Sequence, residues 1–133
     1  MRRRLAALAL IVNALVLASA ARADHARYGT VLTIDPASAR MLLDRGGVAP
    51  IDLRAESDFR AGRIPGARSW PLDSLDAHLA EVPKSDVIIL YGDGPIERVL
   101  RAYHLIRLRA AADVYVLEGG LESWRRAGYT LER

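Results

Sequence analysis

The sequence of 133 residues contains no cysteine. This absence excludes disulfides, thiolate metal sites, iron–sulfur clusters and catalysis by a cysteine nucleophile. The composition is otherwise that of a globular protein, with 51% hydrophobic and 26% charged residues. A chain of this length predicts one domain.

Basic residues are not in excess over acidic residues once the N-terminus is set aside. Arg2, Arg3, Arg4 and Arg22 supply four of the 19 basic residues, which leaves 15 basic against 16 acidic residues. A domain that binds nucleic acid carries a clear excess of positive charge. The balance therefore argues against nucleic acid as a partner.

The first 23 residues have the pattern of a secretory signal peptide. Three arginines follow Met1, an apolar run of 16 residues extends from Leu5 to Ala20, and Ala21-Arg22-Ala23 forms a small-x-small cleavage site. We expect cleavage after Ala23, with Ala20 as the second choice. The alternative is an uncleaved membrane anchor, for which the run is short of the roughly 20 residues that span a bilayer.

Cleavage would release residues 24–133 as a single exported domain in the periplasm, without further contact with the membrane. Exported domains often rely on disulfides because their compartment is oxidising. This chain has no cysteine, so the domain must fold by burial of its core alone, which its size allows.

After the signal peptide, strand and helix patterns alternate along the chain. Strands are predicted over residues 28–34, 48–53, 67–70, 87–91 and 114–117. Helices are predicted after Asp35-Pro36, over residues 56–60 and 72–82, from about Pro95 to Arg109, and after Gly119-Gly120. This alternation predicts an α/β fold with a parallel sheet covered by helices on both faces. Ligands bind such sheets at the carboxyl ends of the strands, so the loops after Leu53, Tyr91 and Leu117 form the candidate site.

Two stretches resemble the signatures of rhodanese-like domains. The first is Ile51-Asp52-Leu53-Arg54, followed by Asp58-Phe59 and by Gly62-Arg63-Ile64-Pro65-Gly66-Ala67. The second is Val114-Tyr115-Val116-Leu117-Glu118-Gly119-Gly120, followed by Trp124 and Gly128-Tyr129. The resemblance covers about residues 30–131 and implies a three-layer sandwich with about five mainly parallel strands. Arg63 stands where the family usually has histidine.

The resemblance also implies a departure at the active site. Enzymes of this family carry a catalytic cysteine directly after the strand equivalent to residues 87–91, where loop N–H groups bind a persulfide or phosphate. That position is Gly92 here, or Asp93 with a slip of one residue. Neither side chain can attack sulfur. The resemblance therefore implies a domain that lacks sulfurtransferase activity, a catalytic residue and a cofactor.

The candidate binding site consists of this loop and the rim of the adjoining cleft. The loop candidates are Gly92, Asp93, Gly94, Pro95, Ile96, Glu97 and Arg98. The rim candidates are Asp52, Arg54, Glu118, Gly119 and Gly120. We expect Asp93 or its backbone to cap the following helix, and Glu97 to face solvent and pair with Arg101. We expect Asp52 and Arg54 to tie their strand to its loop. The negative charges of the two loop carboxylates also disfavour the binding of thiosulfate, sulfite and phosphate.

Other kinds of catalytic or metal site have weak support in the sequence. The three histidines, His25, His78 and His104, are far apart, and no pair has the helical spacing of metal ligands. The candidate serine nucleophiles are Ser57, Ser69 and Ser123. None of these serines lies in a nucleophile-elbow context. Arg98 is expected on a solvated helix face rather than as an anion clamp, and no metal ion is expected.

These features predict an exported, non-catalytic domain that binds a protein or small-molecule partner through residues 92–98. The alternative is an enzyme of another chemistry that uses Asp93, Glu97 or Asp52 as a general acid or base. The two hypotheses differ in the surroundings of these carboxylates, because a catalytic carboxylate lies in a desolvating pocket whereas a helix-capping one is solvated.

Overall fold

The structure is a computed structural model that describes residues 31–94 and 96–133. A sheet of five strands lies at its centre. The contacts between residues group Thr33–Arg133 into one compact unit. The predicted signal peptide, both candidate cleavage sites and the first part of the predicted strand 28–34 lie outside the described residues.

The elements follow the predicted alternation. The strands are β1 (Thr33–Ile34), β2 (Val48–Asp52), β3 (Arg68–Ser69), β4 (Val87–Tyr91) and β5 (Asp113–Leu117). The α-helices are α1 (Pro36–Arg45), α2 (Glu56–Ala61), α3 (Leu75–His78), α4 (Ile96–Arg107) and α5 (Gly120–Arg126). The strand order is β1-β5-β4-β2-β3 and every pairing is parallel. The predicted α/β class is confirmed, and β4 and β5 are adjacent parallel strands.

The central strand β4 separates two layers of core. Ile89 and Tyr91 belong to a buried cluster that also contains Ala39 of α1 and Trp124 of α5. Because neighbouring side chains of a strand point to opposite faces, Ile88 and Leu90 of β4 face the other layer. Helix α4 packs against β4 and β5. Helices therefore cover both faces, as the three-layer prediction requires.

Helix α1 shows how local sequence determines the boundaries of an element. The carboxylate of Asp35 accepts a hydrogen bond from the backbone N–H of Ser38 at 2.9 Å, and Pro36 occupies the first turn. Gly46, with φ +83°, ends the helix in a conformation that favours glycine. The prediction of a helix starting at Asp35-Pro36 is confirmed.

Three expectations are corrected. The single helix predicted over residues 72–82 is replaced by a 3₁₀ helix (Leu72–Ser74), α3 and a second 3₁₀ helix (Leu79–Glu81). A spacing of three residues between apolar positions fits the three-residue turn of a 3₁₀ helix as well as an α-helix. In the described part of the predicted strand 28–34, only Thr33–Ile34 form a strand. The spacing of Ile96, Val99 and Tyr103 in the sequence predicts one apolar face of α4, but Ile96 is 48% exposed.

Candidate functional site

A cavity of about 530 Å³ opens at the carboxyl ends of the strands. Arg54 follows β2, Gly92 follows β4 and Leu117 ends β5, and all three line it. Other parts of the lining are buried apolar side chains, including those of Val116 and Leu121. The cavity therefore combines an apolar floor with a rim made by the loops that the sequence singled out.

Most of the predicted site residues lie together on this cavity. Those that line it are Arg54, Gly92, Asp93, Gly94, Ile96, Glu118, Gly119 and Gly120. Glu97 and Arg98 are exposed on α4 and do not line it, and Asp52 is fully buried outside the lining. Pro95 lies outside the described residues. The sequence did not identify Thr33, Asp58, Glu122 and Arg125, which also line the cavity.

Two glycines bring the loop after β4 and the turn after β5 into close contact. A Cβ atom on Gly120, which has φ +57°, would lie 2.5 Å from the carbonyl oxygen of Gly92. The hydroxyl of Ser123 fixes this turn, since its Oγ lies 2.9 Å from the carbonyl oxygen of Gly120 and also contacts that of Glu118. The wall of the cavity is therefore built from backbone at these positions.

Gly92 itself occupies a tight position. A Cβ atom at Gly92 would lie 3.1 Å from Cγ2 of Val99 and 3.7 Å from Cβ of Leu53. The first of these distances is shorter than an ordinary van der Waals contact between carbon atoms. The position at which the resemblance places a cysteine therefore accommodates a side chain only if Val99 shifts.

The pair Asp52 and Arg54 anchors the loop after β2. Nη2 of Arg54 donates to Oδ2 of Asp52 at 2.7 Å, and Nε donates to Oδ1 at 3.0 Å. The same Nη2 donates to the carbonyl oxygen of Gly62 at 2.7 Å. Burial lowers the pKa of Arg54, but the hydrogen bonds and charge of Asp52 outweigh burial, and its pKa is raised overall. The pair therefore joins the strand end to the turn at Gly62.

Tyr91 also contacts the backbone of the turn at Gly62. Its hydroxyl accepts a hydrogen bond from the backbone N–H of Ile64 at 3.1 Å. Burial, followed by the charge of Asp52, raises the pKa of Tyr91 far above its ordinary value. The phenol stays neutral at physiological pH and serves to position the backbone of the turn.

Carboxylates outnumber cations on the rim. Asp58, Asp93, Glu118 and Glu122 line the cavity with only two arginines, Arg54 and Arg125. The charge of Arg54 is already balanced by Asp52, and Nη1 of Arg125 lies 4.0 Å from Oε2 of Glu122. Like charges repel an anion at such short range. The rim therefore disfavours an oxyanion such as thiosulfate or phosphate.

The two loop carboxylates do not make the contacts expected of them. Asp93 and Glu97 are exposed, and neither carboxylate forms a hydrogen bond or ion pair among residues 31–94 and 96–133. The expected side-chain cap by Asp93 is therefore absent, as is the expected pair of Glu97 with Arg101.

Arg63, the departure from the usual histidine, links the turn after α2 to the end of the chain. Its guanidinium lies 4.5 Å from the ring centroid of Phe59, and Nη2 lies 3.2 Å from Oε1 of Glu132. The backbones of Arg63 and Glu132 exchange two hydrogen bonds of 2.9 Å. The second carboxylate oxygen of Glu132 accepts from the N–H of Gly66 at 2.8 Å. Arg63 therefore has a structural role.

His78 and Ser69 lie in structural settings. The ring of His78 stacks on that of Trp70 at 5.3 Å, and Ser69 donates to Glu56 at 2.5 Å. Within the described ranges, no group of three or more histidine, aspartate or glutamate side chains is arranged to hold a metal ion. His25 lies outside those ranges.

Comparison with known proteins identifies the class. The family model for the rhodanese-like domain matches residues 35–127, and the chain belongs to that family. It is 32% identical over 74 residues to the uncharacterized protein YqhL of Bacillus subtilis, covering 56% of this chain and 58% of that one. The chain spans less than two thirds of the length of the curated relatives that it matches.

Solved structures share the fold. The Alr3790 protein from Anabaena superposes with a TM-score of 0.65 at 29% identity, over 74% of this chain and 80% of that one. The thiosulfate sulfurtransferase from Pseudomonas aeruginosa gives a TM-score of 0.66 at 25% identity, over 75% of this chain and 19% of that enzyme. This chain therefore shares its fold with a protein described as a thiosulfate sulfurtransferase, but it contains no cysteine.

Proposed function

We propose that this chain is an exported, non-catalytic rhodanese-like domain that binds a ligand or protein partner in the cavity beside residues 92–98. The observation that carries the proposal is Gly92 at the end of β4, where the family places its sulfur nucleophile, in a chain without cysteine. The cavity persists although the nucleophile is missing. Binding is the function that remains available to it.

The alternative of a carboxylate enzyme has less support in the geometry. Asp52 is fully buried and engaged by Arg54 through several hydrogen bonds, so a substrate has no access to it. Asp93 and Glu97 are open to solvent rather than enclosed by a desolvating wall. A general acid or base usually depends on such an enclosure to adjust its pKa.

The composition of the cavity favours a particular class of ligand. Its floor is apolar and its rim carries more carboxylates than cations, as in the pair Glu118 and Glu122. A ligand with an ammonium or guanidinium group and an apolar body matches both features, whereas an oxyanion matches neither. A basic and apolar side chain on a partner protein would satisfy the same requirement.

A binding measurement tests this proposal. Calorimetric titration of the protein with benzylamine should give saturable binding that weakens about fivefold or more in Glu118→Gln/Glu122→Gln, since each charge contact contributes about 0.5–1 kcal/mol. Asp73→Asn/Asp76→Asn, which removes two exposed carboxylates elsewhere, should leave binding unchanged. Thiosulfate should neither bind nor yield thiocyanate with cyanide. Thiocyanate formation above the blank would overturn the non-catalytic assignment.

Export has its own measurement. The basic, apolar and small-x-small order of residues 1–23 supports removal of this segment. Mass spectrometry of the protein isolated from the native cell envelope should find a chain that begins at Asp24, or at Ala21. An intact Met1 terminus in the membrane fraction would show an anchor instead.

A further inference from the structure

The outer side of α4 is positively charged. Between Glu97 and Asp113 the sequence has four arginines and no acidic residue. These arginines are Arg98, Arg101, Arg107 and Arg109, and all are exposed. On α1, Arg40 pairs with Asp44 at 2.9 Å, whereas Arg98 and Arg101 of α4 form no ion pair within residues 31–94 and 96–133.

The same surface carries an exposed apolar side chain. Leu108, which directly follows α4, is 82% exposed and is flanked by two arginines. Positions separated by three or four residues lie on one side of a helix. Arg101, His104 and Leu108 therefore form a row along the outside of α4, opposite the buried Val99 and Tyr103. Twelve helical residues extend about 18 Å at 1.5 Å per residue.

We propose that this surface, termed the α4 face and defined by Arg98, Arg101, His104 and Leu108, docks the domain on an anionic lipid bilayer. Guanidinium groups bind phosphate oxygens with paired hydrogen bonds, so the arginines match lipid headgroups. Leu108 enters the boundary between headgroups and acyl chains, where an apolar side chain between cations is favoured. An acidic protein would need an apolar pocket placed opposite Leu108 in addition to its charges, whereas an anionic bilayer offers both at every point of its surface.

The α4 face leaves the binding cavity accessible. Arg98, Arg101 and Leu108 do not line the cavity, whereas Ile96 and Val99 of the same helix do. Docking through the outer row of α4 therefore does not require the cavity to close. The proposal concerns a second surface of the domain and does not depend on the ligand of the cavity. It replaces the expectation from the sequence that the cleaved domain makes no further contact with the membrane.

Vesicle co-sedimentation of the whole chain tests the proposal. Binding to vesicles of phosphatidylglycerol and phosphatidylcholine should exceed binding to pure phosphatidylcholine and decrease with added salt. Arg98→Glu/Arg101→Glu should reduce the affinity for anionic vesicles at least about tenfold, because each cation near such a surface contributes about 1 kcal/mol. Arg45→Glu/Arg68→Glu, which changes two exposed arginines elsewhere, should have a much smaller effect.

The apolar contribution has a matched pair of variants. Leu108→Asn should weaken anionic vesicle binding about threefold or more, whereas Met41→Asn, at a side chain 57% exposed on α1, should not. A retained N-terminus carries Arg2, Arg3, Arg4 and Arg22 and would itself favour anionic vesicles. The readout is therefore the loss of binding in a variant of the α4 face relative to its control variant in the same chain. Equal affinity for both vesicle types, or no loss in Arg98→Glu/Arg101→Glu, would overturn the proposal. Binding to poly-glutamate but not to anionic vesicles would equally overturn it and indicate an acidic protein.

Discussion

Gly120 and Gly92 meet backbone to backbone at the wall of the cavity. A Cβ atom on Gly120 would lie 2.5 Å from the carbonyl oxygen of Gly92, in a left-handed conformation with φ +57°. The contact joins the turn after β5 to the loop after β4. The relative position of the two halves of the candidate site therefore depends on the absence of a side chain at residue 120.

Replacement of Gly120 tests this dependence. Gly120→Ala should destabilise the domain both by the left-handed conformation, about 1–2 kcal/mol, and by a clash that adds about 1–3 kcal/mol. Gly128→Ala is the matched control, because Gly128 has φ +81° with no atom within 4 Å of its Cβ position. Urea unfolding should show a clearly larger loss for Gly120→Ala. Equal losses in the two variants would mean that the contact with Gly92 is soft.

Introduction of the missing cysteine tests the proposal that the domain is non-catalytic. Gly92→Cys alone should give little thiocyanate from thiosulfate and cyanide, because Val99 crowds the new side chain and Asp93 repels the donor. Adding Val99→Ala, Asp93→Asn and Glu97→Gln should raise turnover. Gly128→Cys supplies a thiol in an open position and should remain inactive. Strong activity of Gly92→Cys by itself would show that neither crowding nor charge limits the site.

The buried pair Asp52 and Arg54 should contribute far more stability than a surface pair. Asp52→Ala leaves the largely buried guanidinium of Arg54 without its partner, and loss of one member of a buried pair costs about 3–5 kcal/mol. Asp44→Ala, which removes the exposed pair with Arg40, should cost less than about 1 kcal/mol.

A conservative variant covers the case in which Asp52→Ala fails to fold. Arg54→Lys keeps the charge but loses the paired geometry, so it should fold with an intermediate loss of stability. Chemical denaturation followed by tryptophan fluorescence measures all three variants. A loss for Asp52→Ala no greater than that for Asp44→Ala would contradict the anchoring role.

The tie between Glu132 and the turn at Gly66 should make stability depend on pH. The hydrogen bond from the N–H of Gly66, followed by that from Arg63, lowers the pKa of Glu132 from 4.5. A carboxyl group with a lower pKa in the folded state stabilises the fold above its unfolded pKa, and this contribution disappears as pH falls through the folded value. The stability difference between wild type and Glu132→Gln should therefore be greatest near neutral pH and shrink below 4.5. Thermal unfolding across this range measures it, and a constant difference would contradict the assignment.

The sequence predicted those elements whose boundaries depend on residues close together in the chain. The continuous apolar run of β4 indicated a strand buried on both faces, and the structure confirms its bounds. The cap at Asp35 likewise located the start of α1. Spacing alone could not separate an α-helix from 3₁₀ turns around Leu75, because both place apolar residues on one side at intervals of three.

The site was predictable in position but not in its full membership. The loops at the carboxyl ends of the strands follow from the α/β pattern, and they do line the cavity. Glu122 and Arg125 reach it from α5, a relationship between elements that no local pattern contains. The pair of Arg63 with Glu132 joins residues 69 apart in the sequence, so it too required the folded structure.

The two outer strands of the sheet affect how the protein behaves at high concentration. In the described part of the chain, β1 and β3 lie at the edges of the sheet and contain two residues each. Such short edges expose few free N–H and C=O groups to a strand from another molecule. A strand of another molecule can therefore form few hydrogen bonds with either edge, which disfavours the growth of fibrils by edge-to-edge pairing.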